Sequence, residues 1–358
     1  MNIFKILATA DKELVHSAML KFFLESDPIC DDFIENFIGM SNLQSKGEVN
    51  LEQSDKNHKT GERIRFDLFM ASSKDDKTPI LVVENKFKAT PTLRQLKSYD
   101  DYFDLKDIQD VQKVLFVFSK SQLQTSVSNY CKNRWKVVSY FPSFKNNDGG
   151  DNLLSWLEVI KSNERLDEKS KLLLNDYFDY LLCYKNKITK VIKNSNFVRH
   201  NVTSDRFIYF QYLLYIQGLI SEKLFDNQLQ DIDASHDGGK NVVPGIAFWI
   251  EVKNKNAIGI KSAFSAIDGS TFKLGISYEK KAHETINGFI DSINLFQHTK
   301  ELKSLVLNRN NRKLKSSDNN KQESVYSIFT GQIFENRPRK DVVAEISEIS
   351  KEYFNKFI

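Results

Sequence analysis

A chain of 358 residues is long for one compact domain and comfortable for two, and 41% hydrophobic with 27% charged residues is ordinary for a globular protein in water. A net charge of +4 is only mildly basic and a poor electrostatic case for tight, non-specific coating of DNA, while leaving room for a local basic track. No apolar run approaches a bilayer's thickness, so no membrane partner is expected.

The first eight residues are weakly apolar, but Asp11, Lys12 and Glu13 follow too soon for a signal peptide. Three widely spaced cysteines, Cys30, Cys131 and Cys183, suit neither a disulfide framework nor a zinc site, which points to a reducing cytoplasm. The 27 phenylalanines are expected to serve the core.

Residues 10–24 place Val15, Met19, Phe22 and Phe23 on one face, which predicts an amphipathic helix. Asp27-Pro28 breaks it, and residues 32–38 read as a second short helix. Residues 48–52 and 63–70 have strand character on either side of a polar loop. A charged turn at 72–78 leads into a strand over 80–87. Pro91 fits the first turn of a helix running to 103. Strands at 114–118 and 135–141 come next, then helices over 152–160 and 166–192.

From residue 204 the pattern restarts. A helix is expected over 207–225, and a hairpin from 242–253 and 257–264 turning across Lys253-Asn254-Lys255-Asn256. A strand over 271–278, a helix over 280–296, a basic exposed loop over 308–321, a strand over 325–329 and a helix over 341–357 complete the chain. This order predicts an α/β core in residues 1–195, a mixed sheet flanked by helices, and a second α+β domain in residues 196–358.

Ile80-Leu81-Val82-Val83-Glu84-Asn85-Lys86 ends an apolar strand in an acid and a base. With a period of two, Ile80, Val82, Glu84 and Lys86 share one face, and Leu81, Val83, Asn85 and Phe87 the other. Burying an unpartnered carboxylate is costly, so something must neutralise Glu84. A divalent cation held by Asp67 and Glu84, with Lys86 beside it, would do so. The competing reading is a strand-end salt bridge between Lys86 and either acid.

Asp67…Glu84-Asn85-Lys86 resembles the catalytic motif of the PD-(D/E)XK nuclease superfamily, with Phe66 where the name puts a proline. Glu13-Leu14-Val15-His16-Ser17 looks like the Glu-x-x-His-Ser helix that opens one bacterial branch of it. Gln95-Leu96-Lys97-Ser98-Tyr99 is similar to the Gln-x-x-x-Tyr motif of RecB-type nucleases. The resemblance covers roughly the first half of the chain and implies a restriction-endonuclease-like core. A second apolar-strand-plus-ExK sequence, Trp249-Ile250-Glu251-Val252-Lys253 with Asp237 upstream, lacks both flanking helices and reads as an amphipathic strand with Glu251 and Lys253 in solvent.

On this reading Asp67 and Glu84 bind Mg²⁺, for which Mn²⁺ substitutes, and the Asn85 carbonyl adds a main-chain oxygen. Lys86 orients the attacking water or helps it lose a proton, its pKa lowered by burial and the metal. Glu13 adds a carboxylate, or else it merely favours the helix dipole. Gln95 and Tyr99, four residues apart on one helix face, reach a water or a phosphate, with Tyr99 as a core residue the alternative. His16 is a candidate phosphate contact or a structural histidine. Arg63 and Arg65, on the Asp67 face, are candidates to hold phosphate or to balance the acids. The basic run of Arg309, Arg312, Lys313 and Lys315 reads as a solvated loop.

The expected function is a Mg²⁺-dependent nuclease acting on DNA, in bacterial anti-phage defence or DNA processing as the resemblance implies. RNA cleavage by the same site stays open. The rival class is a catalytically silent nucleic-acid-binding or protein-interaction module on the same fold. A second copy of the chain or a protein partner would be met through the C-terminal domain.

Overall fold

The computed structural model describes residues 2, 4, 13–40, 43, 47–52, 54–56, 63–72, 78–144, 151–199, 205–225, 233–237, 244–254, 259–269, 271–279, 283–293, 305–309 and 323–358. It divides into two compact units, Met1–Lys187 and Ile188–Ile358. The expected division after residue 195 falls a few residues beyond that boundary.

In the first unit, helix α1 (Glu13–Glu25) precedes a short helix α2 (Asp27–Asp31) and a π-helical turn over Asp32–Ile38. That turn ends at Gly39, whose φ of 74° is the left-handed conformation glycine adopts without a Cβ clash. Strands β1 (Val49–Leu51), β4 (Leu68–Ala71), β5 (Pro79–Lys86), β6 (Gln112–Val117) and β7 (Lys136–Ser139) form one sheet in that order. The pairs β1–β4 and β4–β5 are antiparallel, while β5–β6 and β6–β7 are parallel. Helices α3 (Leu93–Leu105) and α4 (Thr125–Cys131) occupy the two parallel crossovers, and α5 (Leu153–Ile160) and α6 (Glu168–Ile192) follow.

Seven of the eight residues of β5 are buried, as a strand covered on both faces requires. On one face Val82, Leu115 and Val117 pack with Leu96, Tyr99 and Phe103 of α3 and Val127 of α4. On the other, Phe116 meets Phe33 and Phe37 of the π-helical turn, and those rings meet Trp156 of α5. The result is a mixed five-stranded sheet between helical layers, the α/β core expected from the order of elements.

The continuous strand expected over 63–70 is two strands. β3 (Arg63–Arg65) pairs with β2 (Ser54–Lys56) in a separate ribbon, and β4 pairs with β5. The chain changes partners at Phe66 and Asp67, which no local alternation announces. Phe66, 1% exposed, packs against Phe69, Tyr99, Tyr102 and Phe103 and anchors that change.

The second unit holds a six-stranded antiparallel sheet in the order β12 (Leu305–Arg309), β13 (Glu323–Ile333), β11 (Thr271–Glu279), β10 (Ile260–Asp268), β9 (Gly245–Glu251), β8 (Asp233–Asp237). Helices α7 (Arg206–Phe225), α8 (His283–Ser292) and α9 (Arg339–Phe354) accompany it, and Tyr209, Tyr212, Ile346 and Tyr353 share its core with Phe248, Phe272 and Ile276. A Cβ at Gly275 would lie 2.2 Å from the Tyr326 carbonyl oxygen, so only glycine fits the register shift there. Asn308 and Arg309, expected in a loop, end β12; Arg312, Lys313 and Lys315 lie outside the described residues. Among the described residues no helix is long and apolar enough to cross a membrane.

Candidate active site

The carboxyl end of β5 opens into a cavity of about 310 Å³ lined by Glu13, Arg65, Asp67, Lys86, Gln95 and Tyr99, among others. Three elements meet there because β5 ends where β4 begins. Leu68 pairs with Val83, so Asp67, in the bend before β4, lies beside the residues that follow Val83. Its Oδ2 accepts the Asn85 backbone N–H at 2.8 Å. That bond fixes one carboxylate against the strand carrying the other.

Glu84 is fully buried. Its Oε1 forms an ion pair with Lys86 Nζ and accepts from Gln95 Nε2 at 2.5 Å. Its Oε2 lies 2.6 Å from the Tyr99 hydroxyl. Gln95 Nε2 also donates to that hydroxyl at 2.9 Å, and the Arg65 carbonyl is 2.8 Å from it. With one proton to give, Tyr99 serves Glu84 or the Arg65 carbonyl at any instant. Gln95 is itself set by the α3 N-cap, where Thr92 Oγ1 accepts its backbone N–H at 3.3 Å.

Burial pushes the Glu84 carboxyl up to about 7; the Asp67 charge adds to this, while Lys86 and Tyr99 oppose it. For Lys86 burial works downward, but the carboxylates of Glu84, Asp67 and Glu13 outweigh it and hold the pKa above its ordinary value. The expected lowering of the Lys86 pKa is therefore corrected for the metal-free protein: three acids dominate one desolvation penalty.

Glu13 lines the cavity from the first turn of α1, with Oε1 accepting the Ala89 N–H at 3.0 Å. Arg65 is exposed on the cavity wall and pairs with Glu52 at 3.6 Å. The side chain of Arg63 lies outside the described residues. His16 is elsewhere. It is fully buried, stacks on Phe87 with centroids 3.5 Å apart, and its Nδ1 is 2.8 Å from the Tyr177 hydroxyl. It is not among the residues that line the cavity. Tyr99, 3% exposed, touches Glu84 and also lines the cavity.

Thr92, Arg94 and Ser98 also line the cavity and were not singled out in the sequence. Arg94 and Ser98 are four apart on α3, one position before Gln95 and Tyr99, so the same helical spacing could have found them. In the second unit, Glu251 and Lys253 are both exposed, as expected for the decoy motif, and the side chain of Asp237 lies outside the described residues.

A family model described as the PD-(D/E)XK nuclease superfamily matches residues 1–179, half of the chain. The chain belongs to the PD-(D/E)XK nuclease superfamily. Every residue of the cavity falls within the matched segment. No curated protein and no solved structure matches the chain.

Nucleases of this superfamily generally use divalent metals, and the donors here fit a hard cation. They are carboxylate and carbonyl oxygens, and the buried Glu84 carboxyl, pushed up to about 7 beside Asp67, is the group a cation would relieve. Among the described residues no three His, Cys, Asp or Glu side chains converge on one metal position.

Proposed function

We propose that this protein is a Mg²⁺- or Mn²⁺-dependent nuclease that hydrolyses phosphodiester bonds of DNA in the cavity at the end of β5. The observation that supports it is the convergence of Asp67, Glu84, Lys86 and Gln95 on one buried corner, with Asp67 docked on the strand of the other two. A bound divalent cation would polarise the phosphate and make a water more acidic. Asp67, Glu84 and the Asn85 carbonyl would hold it.

Hydrolysis joins a water oxygen to phosphorus, breaks the bond to the leaving sugar oxygen and returns a proton to that oxygen. Lys86, paired with Glu84 beside the cavity, would place positive charge next to the phosphate oxygens as negative charge grows there, or orient the attacking water. Gln95 donates from Nε2 and keeps Glu84 in one orientation. Tyr99 fixes the other Glu84 oxygen. Arg65, on the rim, is placed to pair with a flanking phosphate.

DNA as substrate, and bacterial DNA processing or defence against phage as setting, follow from the family resemblance. The test is incubation of the purified protein with plasmid, linear duplex, single-stranded DNA and RNA, each with Mg²⁺, Mn²⁺ or EDTA. Metal-dependent cuts in DNA that vanish in Asp67→Asn support the proposal. Binding without cutting under every condition would favour a silent binding module, and RNA cleavage alone would change the substrate.

A further inference from the structure

The middle residue of the Glu84-Asn85-Lys86 run points away from the cavity, yet every hydrogen-bonding group on its side chain is used. Asn85 is fully buried. Its Oδ1 accepts from the Tyr140 hydroxyl at 2.8 Å, and its Nδ2 donates to Ser17 Oγ at 2.9 Å and to the Glu13 carbonyl at 3.1 Å. Its backbone N–H, on the cavity side, holds Asp67 Oδ2. Ser17 Oγ in turn donates to the Glu13 carbonyl at 3.1 Å.

One residue therefore ties the first turn of α1, the end of β7 and the bend before β4 to β5. We infer that Asn85, clamped by Ser17 and Tyr140, is a positioning residue that sets the Asp67 and Glu13 carboxylates at the cavity. The geometry argues against packing alone as its purpose. An apolar residue would fill the same space beside Phe116 and Tyr140, as Leu81 and Val83 do farther along the strand, without needing three partners from two other elements. The clamp holds the Asn85 side chain, and with it the backbone at this position, between α1 and the end of β7. This matters because the Asn85 N–H holds Asp67, while its own carbonyl, in the next peptide group, is the proposed main-chain metal donor. Partners one step removed from a metal's ligands commonly change its affinity tenfold or more when lost.

This inference rests on the metal site proposed above, and its test separates the two. Mn²⁺ binding would be measured by titration calorimetry, and thermal unfolding without metal by circular dichroism. The proteins are the wild type, Tyr140→Phe, Ser17→Ala and Tyr353→Phe. The last removes a fully buried hydroxyl that donates to the Gly275 carbonyl at 2.8 Å, in the second unit, as a control for lost stability. The expected result is a Mn²⁺ Kd about tenfold weaker in Tyr140→Phe and in Ser17→Ala, with Tyr353→Phe binding as the wild type does even where its melting temperature falls. Unchanged affinity in both clamp variants would overturn the positioning role while leaving the metal site standing. Equal weakening in Tyr353→Phe would reduce the effect to general stability. A wild type that binds no Mn²⁺ would remove the metal site and this inference with it.

Discussion

Glu84 and Lys86 form a buried pair whose two members respond differently to solvent. Glu84 has a pKa near 7 in the fold against an ordinary value of 4.5, so the folded state binds more protons than the unfolded chain between those values. Stability from this group is accordingly greatest below pH 4.5 and declines as pH rises toward 7, by up to about 3 kcal/mol. Glu84→Gln should flatten that slope in urea-unfolding measurements made from pH 5 to 8 without metal; an unchanged slope would place its origin elsewhere. Divalent cations compete with the same proton, so the rise in melting temperature on adding Mn²⁺ should grow between pH 5.5 and 8. In activity assays Glu84→Gln and Lys86→Ala should each abolish cleavage, whereas Glu251→Gln and Lys253→Ala, exposed on the second unit, should leave it within twofold. The reverse outcome would put the catalytic site in the second unit.

At the scale of elements, the site depends on one change of strand partner. Phe66 plugs the core where β3 leaves its ribbon and β4 joins β5, so Phe66→Ala should cost about 3–5 kcal/mol by urea unfolding. A loss under about 1 kcal/mol would mean that the change is held by other contacts. What was legible in the sequence follows from how local its cause is. The apolar run of β5, the helix bearing Gln95 and Tyr99 and the exposed decoy at Glu251 are written in spacing and alternation, and they appear where expected. The break at Asp67 was not legible, because it arises from pairing with Ser54 on one side and Val83 on the other. The edge strands β8 and β12 escaped for a similar reason. Asp233-Ala-Ser-His-Asp has no alternating apolar pattern and owes its extended form to β9 beside it. Tyr140 reaches Asn85 across 55 residues of sequence, a link only the assembled sheet creates.

For the molecule as a whole, the two units carry different amounts of recognisable chemistry. The superfamily match ends at residue 179, and the antiparallel sheet of the second unit lies beyond it. A cation bound by Asp67 and Glu84 stabilises only the segments it touches and those that unfold with them. Hydrogen exchange with and without Mn²⁺ should therefore show slowed amides in β5 and the first turn of α1, with Gly245–Glu251 unchanged. Protection spread evenly over both units would mean that the cation binds elsewhere or that the chain opens as one cooperative body. The strand at the centre of this arrangement has a consequence for how the protein matures. Glu84 and Lys86 serve one face of β5 and Asn85 the other, so a slip of one residue in pairing would exchange them. The charges would be driven into the aromatic layer around Phe116 and His16, and an amide would take the carboxylate's place in the cavity. A misaligned chain would be inert as well as unstable. In a chain of this nuclease superfamily, the register of one strand thus decides whether a carboxylate or an amide faces the cavity.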